Sequence, residues 1–189
     1  AEALQGLDDR GRVLLDDRED AETSARVTAC LDLLRGEAVV TDCAVVESRN
    51  DFPTGAGLAS SASGFAALVV AAAGALGLKL PPARLAEIAR NGSGSAARSL
   101  LGGIVLLKNV GTGTDCTQLA APADWPLEIV VAVTATGQKA ISSRQGMALS
   151  EHSSPYYPAW LESHATDLSA RIAAVPNLDF PSLAELSEH

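Results

Sequence analysis

Cationic side chains are scarce in this sequence. Its 189 residues hold 14 Lys and Arg against 23 Asp and Glu, a formal net charge of -9. A chain so short of positive charge argues against nucleic acid and anionic membranes as partners. It also makes the few Lys and Arg near motifs informative, because an anionic ligand must be met by locally placed cations. Cysteine and histidine are sparse too. Cys30, Cys43 and Cys116, like His152, His164 and His189, fall in no metal-ligand spacing. A structural metal is therefore not expected, and reduced, mostly buried cytosolic thiols are. Long apolar runs are missing: the longest, Phe65 to Leu78, is alanine-rich and interrupted by glycines, too weak for a membrane span. No basic segment precedes an apolar one at the start, so no signal peptide is expected in these residues. With 47% hydrophobic and 20% charged residues the composition is globular, and the length allows one or two small domains.

What the sequence does have is three stretches of small residues. The first is Phe52-Pro-Thr-Gly-Ala-Gly-Leu-Ala-Ser-Ser-Ala-Ser-Gly-Phe65, a turn running into an alanine-rich helix. Gly55 and Gly57 can take torsions closed to larger residues. The helix start then offers unpaired N–H groups and the positive end of a dipole, a combination suited to phosphate. Ser60, Ser61 and Ser63 add hydroxyls for phosphate oxygens or for a hard cation such as Mg²⁺. No Gly-Lys-Ser/Thr follows, so this is not a Walker A loop. Serine at the third glycine position departs from the dinucleotide fingerprint. On these features alone, an ordinary serine-capped helix after a turn serves equally well.

Along the chain, Gly11-Arg-Val-Leu-Leu15 is a candidate edge strand in an acidic first twenty residues. Val27, Cys30, Leu31 and Leu34 recur at i, i+3, i+4 and i+7, predicting a helix that Gly36 stops. Residues 38–48 are expected as a strand feeding the glycine loop. Phe65, Leu68, Val69, Ala72 and Leu76 line one face of the next helix, ended by Gly77 and Pro81-Pro82, and Leu85 to Arg90 is a further helix. The second small-residue stretch, Asn91-Gly-Ser-Gly-Ser-Ala-Ala-Arg-Ser-Leu-Leu-Gly-Gly103, precedes a short helix. Ser93 and Ser95 there can cap it or hold an anion, and Arg98, three residues beyond Ser95, shares their face. Taken alone it also reads as a plain helix connector. Ile104–Lys108 and Leu127–Thr134 are expected as strands joined by a polar loop through Gly111 and Asp115. The third stretch, Ala135-Thr-Gly-Gln-Lys-Ala-Ile-Ser-Ser-Arg-Gln-Gly-Met147, gathers Lys139, Ser143 and Arg144 just after a strand end, where α/β folds often place ligands; the plain alternative is a solvated loop. A helix from about Tyr156 to Ala174 puts Trp160, His164, Leu168 and Ile172 near one stripe, with His164 a packing residue. A last helix begins at Leu183.

Pro53-x-x-x-Gly57-Leu-x-Ser60-Ser61-Ala62 resembles the phosphate loop of the GHMP kinase superfamily. The fuller stretch from Asn50 to Phe65 is similar to that of the mevalonate diphosphate decarboxylase family, as is Gly92-Ser-Gly-Ser-Ala-x-Arg-Ser99. Lys139, Ser142-Ser143, Gly146-Met147 and Ser153-Ser154-Pro155-Tyr156 to Trp160 also match the family pattern. The resemblance covers essentially all of the chain from Ala38 to His189, and its first part less clearly. It implies an α+β, GHMP-kinase-like (ribosomal protein S5 domain 2-like) two-layer sandwich. In that reading residues 1–125 are the remainder of an N-terminal domain, and 126–189 start a C-terminal one. The implied activity is ATP-dependent decarboxylation of mevalonate 5-diphosphate to isopentenyl diphosphate. The cofactors implied are ATP and Mg²⁺. Pro53, Gly55, Gly57, Leu58, Ala59, Ser60, Ser61, Ser63 and Lys139 would hold the nucleotide, Ser61 also ligating the metal. Ser93, Gly94, Ser95, Arg98, Ser143 and Arg144 would hold the substrate, with Arg98 near its carboxylate as the catalytic residue. A cytoplasmic homodimer with a small-molecule substrate is expected, with neither nucleic acid nor membrane as partner. The family's opening Asn and Lys-Tyr-Trp element and its catalytic aspartate have no counterpart here, so the sequence reads as an internal portion of a longer enzyme. The alternatives within the superfamily act on mevalonate or its monophosphate, or phosphorylate without decarboxylating. From another class, a non-catalytic nucleotide-binding module remains open. A serine hydrolase is disfavoured, since neither Ser60 nor Ser61 lies in Gly-x-Ser-x-Gly.

Overall fold

The structure, a computed structural model, describes residues 21–111, 113–132 and 141–188, together with the backbone of 11–15. These residues fall into two compact units, one drawn from 1–101 and 107–116 and the other from 102–106 and 117–189.

In the first unit, β1 (Gly11–Leu15) pairs in parallel with β2 (Ala44–Ser48), Gly11 standing opposite Ala44 and Leu15 opposite Ser48. Parallel neighbours need a crossover, and α1 (Ala21–Ala38) provides it. Its buried residues are Val27, Cys30, Leu31 and Leu34, the stripe expected from spacing. The helix does not stop at Gly36. It continues to Ala38 and turns at Val39 (φ 56), where the Val40 N–H donates to the Arg35 carbonyl at 3.1 Å. A single glycine costs a helix only about 1 kcal/mol, and the closing hydrogen bond decides the end. The strand expected over 38–48 is shortened to β2 accordingly. In β2, Ala44 and Val46 turn inward and Val45 and Glu47 outward, the period of a strand with one covered face.

Helix α2 (Ser60–Ala75) is alanine-rich and buries Phe65, Ala66 and Val69. It ends in a left-handed glycine, Gly77 (φ 67), with Leu78 N–H on the Ala73 carbonyl at 2.9 Å and Gly77 N–H on that of Gly74 at 3.1 Å. This is the paired closure that only glycine makes without strain. Helix α3 (Pro82–Gly92) is longer at both ends than the expected Leu85–Arg90, since proline in a first turn forfeits no hydrogen bond. A 3₁₀ helix, Ala96–Leu100, follows it. These helices share one core, in which Leu34, Val69, Ile88 and Cys30 are the largest fully buried side chains. Each of the three aliphatic ones contributes about 1.5–3 kcal/mol relative to exposure.

Strands β3 (Ile104–Val110) and β4 (Gly113–Ala120) form a second two-stranded sheet, joined through Gly111 (φ 57). The polar loop expected through Gly111 and Asp115 is therefore largely strand. β4 is Gly-Thr-Asp-Cys-Thr-Gln-Leu-Ala, with little strand signal of its own, and pairing with β3 overrides that weak propensity.

In the second unit, residues 127–132 of the strand expected over Leu127–Thr134 have no strand structure; 133 and 134 lie outside the described residues. Ile129 and Val130 are 86% and 95% exposed. An apolar β-branched run has no strand stability by itself, and among the described residues no partner strand lies beside it. Helices α4 (Ser143–Ser153), α5 (Tyr157–Ala174) and α6 (Phe180–Glu188) complete the unit. α5 and α6 pack together, and Arg171 donates to the Leu186 carbonyl. α6 starts three residues before the expected Leu183, because Asp179 caps it: Oδ1 accepts the Ser182 N–H at 3.1 Å and Oδ2 the Ser182 hydroxyl at 2.6 Å. Those two bonds hold the Asp179 carboxyl below its ordinary pKa. His164 is half-buried, its ring 5.1 Å from that of Trp160, in keeping with the packing role expected of it. Among the described residues, no helix is long and apolar enough to cross a membrane.

Candidate active site

The first turn gets its shape from its own residues. Gly55 (φ 72) and Gly57 (φ 96) take left-handed torsions, as expected of them, and a side chain added at Gly57 would meet only open space. Asn50 Nδ2 donates to Thr54 Oγ1 at 2.7 Å, and the Gly55 N–H donates to Ser60 Oγ at 3.2 Å. Ser60 is thus turned back into the loop. Ser63 bonds its own helix, donating to the Ser60 carbonyl at 3.1 Å. The residue before α2, Ala59, is itself left-handed (φ 56, ψ 35), and no side chain caps the helix. The plain alternative of a serine-capped helix does not hold here. Pro53 and Leu58 are half-buried flanks of the turn, and Ser61, in the first turn of α2, is exposed.

The second turn is made by its neighbours. α3 ends on Gly92, and Ser93 follows as an extended residue whose N–H bonds the Ala89 carbonyl at 3.1 Å. Gly94 and Ser95 complete the turn, closed by Ala96 N–H on the Ser93 carbonyl at 2.9 Å. Neither serine caps the following helix through its side chain, contrary to one expectation, because the Ser93 hydroxyl is engaged elsewhere. It lies 3.2 Å from the Ser61 hydroxyl, and Ser93 is only 8% exposed. Two motifs 32 residues apart therefore meet at one hydrogen bond. Gly92 sits against Phe65 of α2: a Cβ there would lie 2.0 Å from Phe65 Cδ1.

Arg98 is exposed in the 3₁₀ helix, and its guanidinium has no ion pair among the described residues. Beside it, the Cys116 thiol donates to the Ala97 carbonyl at 3.5 Å. Burial pushes that thiol's pKa up, with the Arg98 charge pulling the other way. Cys43 is exposed, a departure from the expectation of mostly buried thiols: it lies on the stretch between α1 and β2, outside the core.

In the second unit, Ser143 and Arg144 are not in a loop but in the first turn of α4. Ser142 is its N-cap, accepting the Gln145 N–H at 3.3 Å while Gln145 Oε1 accepts the Ser142 N–H at 3.0 Å. This reciprocal pair is a Ser-x-x-Gln capping box, a helix-start signal that was legible in the sequence and passed over. Both residues are exposed. Lys139 lies outside the described residues.

The donors at Ser61 fit a Mg²⁺ carried in by a nucleotide better than a resident one. Among the described residues, no three His, Cys, Asp or Glu side chains converge. A single hydroxyl leaves most of an octahedron to phosphate oxygens and water. Motif reading passed over one residue behind the second turn, Arg26 of α1. Its signal was position: it stands four residues before Cys30 and eight before Leu34, on the buried stripe.

Residues 3–118 match the diphosphomevalonate decarboxylase-like N-terminal domain family. The chain belongs to that family. The curated diphosphomevalonate decarboxylase of Aspergillus fumigatus is 35% identical, over 89% of this chain and 46% of its own. A crystal structure of mevalonate diphosphate decarboxylase from Staphylococcus aureus superposes with a TM-score of 0.76 at 31% identity, covering 94% of this chain and 55% of that one. A structure of MDDEF in complex with MVAPP, AMPPCP and magnesium matches with a TM-score of 0.76 at 36% identity, over 95% of this chain and 57% of the other. The fold is thus the α+β GHMP-kinase-like one. The chain spans about half the length of the curated relatives it matches.

Proposed function

We propose that this chain is the part of an ATP-dependent diphosphomevalonate decarboxylase that holds the nucleotide phosphates and one side of the substrate. The observation that carries the reading is the Ser61–Ser93 contact at 3.2 Å, which joins the helix start after the nucleotide turn to the substrate turn. In the reaction, the tertiary 3-hydroxyl of mevalonate 5-diphosphate is phosphorylated. Phosphate then leaves, and the adjacent C–CO₂⁻ bond supplies the electrons that form the alkene of isopentenyl diphosphate as CO₂ departs. ATP with Mg²⁺ supplies the phosphoryl group and neutralises its charge. Phosphoryl transfer asks mainly for positioning. Gly55, Gly57 and Ala59 shape the backbone around the phosphates, Pro53, Leu58, Ser60 and Ser63 fix the loop, and Ser61 offers its hydroxyl. Ser93, Gly94 and Ser95 hold the substrate, and Arg98 orients its carboxylate so that the breaking bond stays aligned with the departing phosphate. Lys139, Ser143 and Arg144 belong to the same reading as further cations and donors for phosphates. So do a domain division of 1–125 and 126–189 and a cytoplasmic homodimer, both resting on family resemblance.

The test is Arg98→Ala in the intact protein. Release of CO₂ from mevalonate 5-diphosphate is expected to fall at least about 100-fold, the scale of losing a preorganised charge contact, while ATP binding changes little. Turnover near wild type would count against the assignment. ADP formed by the wild type without CO₂ would make the protein a kinase of the same fold, and ATP binding without turnover a nucleotide-binding module.

A further inference from the structure

We propose that Arg26 is a positioning residue for the substrate turn: by holding the Gly92 carbonyl it fixes where Ser93 presents its hydroxyl. The proposal rests on the reading of that turn given under Proposed function. Helix α3 ends at Gly92, so its last carbonyls have no partner within the helix. Arg26 reaches across from α1 and donates from Nη1 to the Gly92 carbonyl at 3.2 Å, bridging 66 residues. Nη2 donates to Thr23 Oγ1 at 3.4 Å, which steadies the fork from its own helix. The guanidinium carbon stands 5.2 Å from the centroid of the Phe65 ring. That same ring occupies the space a Gly92 side chain would need. Gly92 is therefore held on two sides at once, by a ring against its Cα and by a cation on its oxygen.

The next residue is Ser93, buried and bonded through its hydroxyl to Ser61. A shift at Gly92 moves Ser93 directly and the Ser61 contact with it. Arginine suits this place because a planar fork can lie over a ring while donating in its own plane, whereas an ammonium is a compact point charge. Among the described residues no carboxylate pairs with Arg26, so its hydrogen bonds go to the carbonyl and to Thr23 rather than to an ion pair. Its Nε is buried without a partner, so the placement costs desolvation that an ordinary surface arginine avoids.

The experiment uses Arg26→Met and Arg26→Lys in the intact protein, with two readouts. Without ligand, Arg26→Met is expected to speed amide hydrogen exchange at Ser93, Ala96 and Arg98 by about tenfold or more, with α1 and α2 amides little changed. With ligands, KM for mevalonate diphosphate is expected to rise about tenfold while KM for ATP stays within about twofold. Arg26→Lys should recover part of both effects, and it carries both readouts should Arg26→Met not fold. Unchanged exchange at the turn, or an acceleration spread evenly through the first unit, would overturn the proposal. If exchange changes only at the turn but the wild type does not turn over mevalonate diphosphate, the positioning role stands and the functional reading falls.

Discussion

The two serine–glycine turns look alike on paper and are built in opposite ways. The one before α2 is shaped from within: two hydrogen bonds inside it span four and five residues, and its left-handed positions are its own Gly55, Gly57 and Ala59. The turn after α3 is made by others, through Arg26, Phe65 and Ser61. A locally determined turn keeps its form as long as its own residues do. A borrowed one depends on the packing of three helices, and α1, which bonds nothing in the first turn among the contacts described, sets the second.

Three changes test that contrast, beyond those at Arg98 and Arg26. The largest effect is expected from Gly92→Ala. Its Cβ would fall 2.0 Å from a Phe65 ring carbon that is itself in the core. The overpacking should cost about 3 kcal/mol, read as a lower urea midpoint, with ATP affinity in the folded protein little changed. A stability loss below about 1 kcal/mol would mean that the second turn is less dependent on its neighbours than the contact implies.

Next is a pH dependence. Burial pushes the Cys30 thiol, which donates to the Ile88 carbonyl near the end of α3, up to about 11. The unfolded chain ionises this thiol near 9, so between the two values the unfolded state has lost a proton that the folded state keeps. The resulting stability is fully present below pH 9 and is lost as pH rises toward 11, by roughly 2–3 kcal/mol in total. Urea titrations of wild type and Cys30→Ala at pH 8 and pH 10.5 should show the loss in the wild type and a smaller one in the variant. Equal losses would show that other groups carry it.

The smallest effect is expected from Ala59→Gly. Ala59 holds a left-handed torsion that a Cβ penalises. Glycine relieves that strain against a cost in chain entropy, for a net gain of roughly 0.5 kcal/mol. The same change at Ser95, which has an ordinary φ of -92, should give no gain. Thermal unfolding of the two variants separates them.

The same contrast explains what could be read in the sequence. The torsions of Gly55 and Gly57 and the stripe Val27, Cys30, Leu31, Leu34 were legible, because each depends on residues a few positions apart. The end of α1 was not: a glycine suggested a stop, and the chain instead turned three residues past it at a valine. β4 stayed hidden because half of its eight residues are polar and it becomes a strand only by pairing. The start of α4 is written plainly in Ser142 and Gln145, whose spacing is that of a capping box. Within the candidate site, the motifs pointed to Ser61, Ser93 and Arg98, whereas Arg26 lies outside every motif. Its contact spans 66 residues, and no local pattern carries that.

The hydroxyl pair of Ser61 and Ser93 has a consequence of its own. Either oxygen can be the donor, but only one hydrogen fits on the line between them. Whatever claims the outward lone pairs of the exposed serine turns its hydrogen inward, and the buried serine then has its own hydrogen to spend in another direction. The two hydroxyls thus behave as a toggle whose setting on one side is felt on the other, without any movement of the backbone.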